Sequence, residues 1–242
     1  MNEMQPQEPN RAEQELVPWT PLDLLKAIGL VIGTTIILVG ILIVFLILFI
    51  PDTDFEKYLW LILTLASIPM YGSMAFSIWL LAVHKYRIPW RFLGLRRFKP
   101  VRGALLALGV VAAGIVVGIL YDLLRKALGF DPVPTLPPEF TATPLNWAAL
   151  AFLAVGIAPL AEELFFRGFI FPGLSKRLGY GWGIVISAML FAIAHLNPAS
   201  LAPIFILGIL LAWLYKKTGS IWPCVLAHCT YNSIALILAA LV

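Results

Sequence analysis

The feature that most constrains this chain is the stretch from Ile28 to Ile50, which runs without a single charged side chain. A helix rises about 1.5 Å per residue and the hydrocarbon of a bilayer is about 30 Å thick, so about 20 apolar residues are enough to cross it. Leu59 to Val83 repeats the pattern, interrupted by Pro69, and Gly103 to Leu120 is a shorter run rich in Gly, Ala and Val, suited to close helix contact. Four further runs follow: Trp147 to Phe171, Trp182 to His195, Leu201 to Tyr215 and Ile221 to Val242. The expected fold is all-α, a polytopic transmembrane helical bundle of about seven spans, within a range of six to eight. Composition agrees, since 61% of the residues are apolar and 12% charged, with a mean hydropathy of +0.92, against about 25% charged in a soluble domain.

The charges fall between the runs. The connection 84–102 holds Lys85, Arg87, Arg91, Arg96, Arg97, Lys99 and Arg102, whereas Pro51 to Lys57 holds Asp52, Asp54, Glu56 and a single Lys57. Short cytoplasmic loops collect Lys and Arg, so the basic connection is expected to face the cytoplasm. Counting spans from there puts Lys176, Arg177, Lys216 and Lys217 on the same side, with the N-terminus in the cytoplasm and the C-terminus outside. Residues 1–20, polar and proline-bearing, read as a disordered cytoplasmic tail. Residues 21–146 read as N-terminal transmembrane helices. Within them 121–146, with Pro132, Pro134, Pro137, Pro138 and Pro144, is expected to be an external loop. Residues 147–242 carry the chemistry.

The formal charge of +4 sits at span ends, beside anionic headgroups, which makes membrane lipids the expected partner and argues against nucleic acid. Cys224 and Cys229 lack any zinc or disulfide spacing and read as packing residues. No basic stretch precedes the first run and no small-residue cleavage site follows it, so no removable signal peptide is expected.

A charged side chain at mid-membrane costs roughly 3 kcal/mol or more, so it persists where it is paired, hydrated or used. Glu162, Glu163 and Arg167 lie within two turns of one another in Trp147 to Phe171. On a helix Glu163 and Arg167, four apart, share a face, while Glu162 and Arg167 diverge by about 140°. Glu163 is therefore expected to pair with Arg167, leaving Glu162 free to work. The alternative is a structural ion pair near a helix end, where long side chains reach water.

Phe191 and His195 again lie four apart, at the end of a span with no other titratable group; a lone histidine of this kind can equally be a packing residue. His228 and Asn232 project together from the last run and can both donate to one oxygen. A carboxylate beside an imidazole can hold and deprotonate a water, and a second imidazole with an amide can steady an oxyanion. Together these make peptide-bond hydrolysis the natural reaction for the set.

The motifs Glu162-Glu163-x-x-x-Arg167, Phe191-x-x-x-His195 and His228-x-x-x-Asn232, in this order on successive helices, resemble the CAAX protease and bacteriocin-processing family, also called Abi, of intramembrane glutamic endopeptidases. The resemblance covers about Trp147 to Asn232. It implies Glu162 as the water-activating carboxylate, His195 as its partner in holding the water, and His228 with Asn232 as the oxyanion site. Glu163, Arg167 and Phe191 would support them, without a metal or other cofactor. It further implies a protein or peptide substrate, lipidated or membrane-embedded, and a multi-pass place in a cell membrane, the bacterial cytoplasmic membrane being favoured. Two other readings stay open: a zinc version using Glu162, His195 and His228 as ligands, and a non-catalytic membrane scaffold or bacteriocin-immunity protein.

Overall fold

A computed structural model describes residues 17–49, 55–130, 140 and 142–241. The helices are α1 (Pro21–Phe49), α2 (Phe55–Ile78), α3 (Pro100–Ala127), α4 (Pro144–Ala151), α5 (Ala158–Glu162), α6 (Phe171–Ala194), α7 (Leu201–Thr218) and α8 (Trp222–Leu241). Three π-helical stretches interrupt the α geometry: Trp79–His84 prolongs α2, while Phe152–Ile157 and Glu163–Ile170 join α4 to α5 and α5 to α6. Among the described residues six helical stretches are long and apolar enough to cross a membrane. One of them, Pro144–Ala194, is broken at Gly179, whose φ of 77° and ψ of 165° are not helical. The chain there folds back on itself, as a glycine without Cβ permits.

Lipid is written into the outer surface. Ile36, Ile37, Ile41, Val44, Phe45, Ile47 and Leu48 on α1 are all exposed, as are Leu105, Leu108, Val116, Ile119 and Leu120 on α3. A belt of that extent is an interaction surface, and on helices of this length its partner is hydrocarbon.

The long rod from α4 to the first turns of α6 is the structural centre. It packs on α2 and α8, and the short 3₁₀ turn Trp90–Leu93 rests on its second π stretch. Two apolar clusters flank it. One gathers Trp19, Ile78, Leu93, Phe165, Phe169 and Phe191, the other Val110, Leu211, Tyr215, Ile221 and Cys224, and Leu164 touches both.

The structure moves several expected boundaries. α1 starts at Pro21 and α3 extends from Pro100 to Ala127, each beyond its apolar run. The tail expected through residue 20 is packed from Val17 onward: Val17 and Trp19 are buried, and Trp19 Nε1 donates to the Phe169 carbonyl at 3.0 Å. Thr20 and Asp23 then close a capping box at the start of α1. Asp23 Oδ2 accepts from Thr20 N at 2.9 Å, and Thr20 Oγ1 accepts from Asp23 N at 3.4 Å. Polar composition concealed this anchor. Residues 1–16, and positions 131–139 and 141 of the proline-rich loop, lie outside the described residues.

Candidate active site

Pro159 explains how the site is framed. It lacks an N–H, so the carbonyls of Val155, four residues back, and Ala154, five back, lose the partners that α or π geometry would supply. Both are taken by α8: Ala154 O accepts from Asn232 Nδ2 at 2.7 Å and Val155 O from Cys229 Sγ at 3.0 Å. Satisfying these carbonyls fastens α8 to the rod and sets His228, one turn before Asn232, against the two glutamates.

Glu163 is fully buried, and its Oε1 accepts from Arg167 Nη1 at 2.8 Å and from His228 Nδ1 at 2.9 Å. The ion pair that the spacing predicts is thus present. Arg167 is itself buried; its Nη2 donates to the Gly208 carbonyl at 3.3 Å and its guanidinium lies 4.2 Å from the Phe191 ring centre. A carboxylate paired with a guanidinium is an acceptor, so the bond to His228 is an Nδ1–H donation, which leaves Nε2 turned to the other side.

On that side stands Glu162. Its Oε2 lies 3.9 Å from His228 Nε2 and is buried, with no hydrogen-bond partner among the described residues. Its Oε1 accepts from the Tyr71 hydroxyl at 3.4 Å. Tyr71 comes from α2 and went unnoticed in the sequence; the signal was a phenol in mid-span two residues after Pro69, whereas Ser67, Ser73 and Ser77 of the same span bond carbonyls of their own helix.

The structure therefore brings Glu162, Glu163, Arg167, Phe191 and His228 together. His195 stands further out. It is exposed, with Nδ1 2.8 Å from the Phe191 carbonyl and its ring centre 4.8 Å from that of Phe191. Among the described residues no hydrogen bond or ion pair joins it to either glutamate. The imidazole against Glu162 is that of His228, where the resemblance implied His195. Asn232 differs too: instead of donating with His228 to one oxygen, it is anchored on Ala154 O, because Pro159 left that carbonyl unpaired. Cys224 is a buried packing residue whose Sγ donates to the Leu211 carbonyl. Among the described residues no group of three or more His, Cys, Asp or Glu side chains is disposed to hold a metal ion.

Comparison with known proteins decides the family of this segment. Residues 144–234, from the start of α4 into α8, match the family model described as type II CAAX prenyl endopeptidase Rce1-like. The chain carries a domain of this family. YdiL of Bacillus subtilis (strain 168), provisionally named a membrane peptidase, is 30% identical over 82 residues, 34% of this chain and 34% of that protein. The UPF0177 protein YxdF of Lactococcus lactis subsp. lactis (strain IL1403) is 33% identical over 78 residues, 31% of this chain and 42% of that protein. The match thus spans 34% and 42% of the length of these two relatives. No solved structure matches the chain. All the motif residues fall inside the matched segment, whereas Tyr71 lies outside it.

Proposed function

We propose that this protein is an intramembrane endopeptidase that hydrolyses a peptide bond with a water held between Glu162 and His228. One observation carries the reading: the buried, unpartnered Oε2 of Glu162 facing His228 Nε2 across 3.9 Å. A water about 2.8 Å from each atom fits that separation, off the line that joins them. Glu162 takes a proton as the water oxygen attacks the carbonyl carbon. The oxyanion accepts from His228 Nε2–H and from the second amide hydrogen of Asn232 Nδ2. For this His228 enters the cycle as an imidazolium, its Nδ1–H on Glu163 and its Nε2–H toward the water, and it leaves the cycle with both protons in place. Collapse breaks the C–N bond, and Glu162 returns its proton to the departing amine. His195, exposed beyond Phe191 with Nδ1–H given to a carbonyl, has Nε2 left to hold the water or the substrate from the open side.

The substrate is a protein or peptide, lipidated or embedded in the membrane, as the CAAX-type and bacteriocin-processing activities of the family suggest. Seven spans follow if both limbs around Gly179 cross, with the basic connection 84–102 and the N-terminus cytoplasmic under the positive-inside rule.

Glu162→Gln keeps the shape and removes the base, so the expected loss is about 10²- to 10⁴-fold in rate. Mass spectrometry of membrane-protein termini, comparing cells with the parent and the Glu162→Gln form, should show a new terminus that vanishes in the variant. Identical termini from both would leave the polar cluster as the core of a scaffold and end the hydrolytic reading.

A further inference from the structure

The basic connection and the end of α7 enclose a cavity that the hydrolytic site does not use. Arg97, Lys99, Arg102, Lys217 and Thr218 line it around the Phe98 ring, and its volume is about 320 Å³. Gly103 lets that ring sink in, since a Cβ there would stand 2.5 Å from Phe98 Cδ2. The four cations are exposed, and among the described residues none of them is paired with a carboxylate. Like charges gathered around one hollow repel one another unless an anion lies between them. α3 begins at the same place, with Lys99 as its N-cap residue, so the positive end of the helix dipole points there.

An open, apolar face of α3 adjoins the cavity. It borders Lys99 and Arg102 and is formed by Val101, Leu105 and Leu106. Val101 and Leu105 are 75% and 65% exposed. A small soluble anion would leave this face uncovered, whereas a molecule with both an anionic head and a hydrocarbon chain matches the cations and the apolar face together. The cavity also lies where the candidate spans Pro100–Ala127 and Pro198–Thr218 end, the level at which headgroups sit.

We infer that this is a binding site for one anionic phospholipid, its phosphate among Arg97, Lys99, Arg102 and Lys217 and one acyl chain along Val101, Leu105 and Leu106. The site stands independently of any chemistry at Glu162. It is tested by titrating the full chain, purified in detergent micelles, with phosphatidylglycerol, phosphatidylcholine or inorganic phosphate and counting bound molecules by native mass spectrometry. One phosphatidylglycerol should be retained at least about tenfold more tightly than phosphatidylcholine. Arg97→Gln/Arg102→Gln should weaken it about 25-fold, at roughly fivefold per charge. Arg87→Gln/Arg91→Gln, the same charge change on the same connection, should alter it by less than about twofold. Arg97→Lys/Arg102→Lys should retain the lipid, which separates loss of charge from loss of fold. Equal binding of phosphatidylcholine, equal loss in both glutamine pairs, loss in the lysine pair, or displacement by an equal concentration of inorganic phosphate would each overturn the assignment.

Discussion

Arg167 is held by groups from three elements: Glu163 on its own rod, the Gly208 carbonyl on α7 and the Phe191 face on α6. A buried guanidinium needs such a set, because an unpaired charge there would cost on the order of 3–5 kcal/mol. Its effect reaches the site through Glu163, whose shared Oε1 orients the His228 ring and fixes which nitrogen faces Glu162. Tyr71 acts on Glu162 from the opposite side, as a positioning residue. Tyr71→Phe removes the hydroxyl that donates to Oε1 and leaves the rest of a half-buried ring in place. The expected result is a fall in kcat of about 5-fold, the worth of one modest hydrogen bond, with KM and melting temperature unchanged. Steady-state kinetics on a cleaved peptide with a thermal melt checks it; a change confined to KM or to the melt would make Tyr71 a packing residue instead.

At the scale of the helices, the residues that meet in the site were legible in the sequence because helical spacing alone puts Glu163 with Arg167 and sets Glu162 apart from them. The identity of the imidazole facing Glu162 was not legible, since it depends on how α8 docks. Docking follows from two carbonyls orphaned by Pro159 inside a stretch whose apolar pattern gives no hint of π geometry. The basic connection was equally opaque: its charges predict a surface loop, yet Leu93 within it is buried under the π stretch that carries Glu163 and Arg167. Gly168 makes that contact possible. A Cβ at Gly168 would lie 2.6 Å from the Leu93 carbonyl oxygen, a backbone atom that cannot swing aside. Gly168→Ala is therefore expected to destabilise the fold by about 1–3 kcal/mol, and to lower activity as well, because the strain falls next to Arg167. A thermal melt in micelles reads the first effect. An unchanged melting temperature would mean that the turn Trp90–Leu93 yields freely.

The matched segment begins at residue 144, but residues as early in the chain as Val17 help to hold it in shape. At one end of the bundle Asp23 of α1 accepts from Lys85 at 2.6 Å and from Tyr86 at 2.7 Å, just past α2. Trp19 and Val17 accompany it, tied to Phe169 and Lys176 of the central rod. Two parts of the chain thus close on one buried carboxylate, and the central rod is fastened beside it through Val17 and Trp19. Asp23→Asn keeps the size and removes the charge, for an expected loss of about 2 kcal/mol, or about 4–8 °C in melting temperature. The pH dependence of the Lys85 bond follows from its sign. Hydrogen bonding to the Asp23 carboxylate raises the lysine above its ordinary value of 10.5, so the folded state holds this proton more tightly than the unfolded chain does. Its contribution is then complete below that ordinary value and lost as pH rises through the folded-state one. The melting-temperature difference between the parent and Lys85→Met should therefore stay constant from about pH 6 to about pH 9 and shrink only in more alkaline solution. A difference that already fades within the neutral range would mean that some other group governs this end of the bundle.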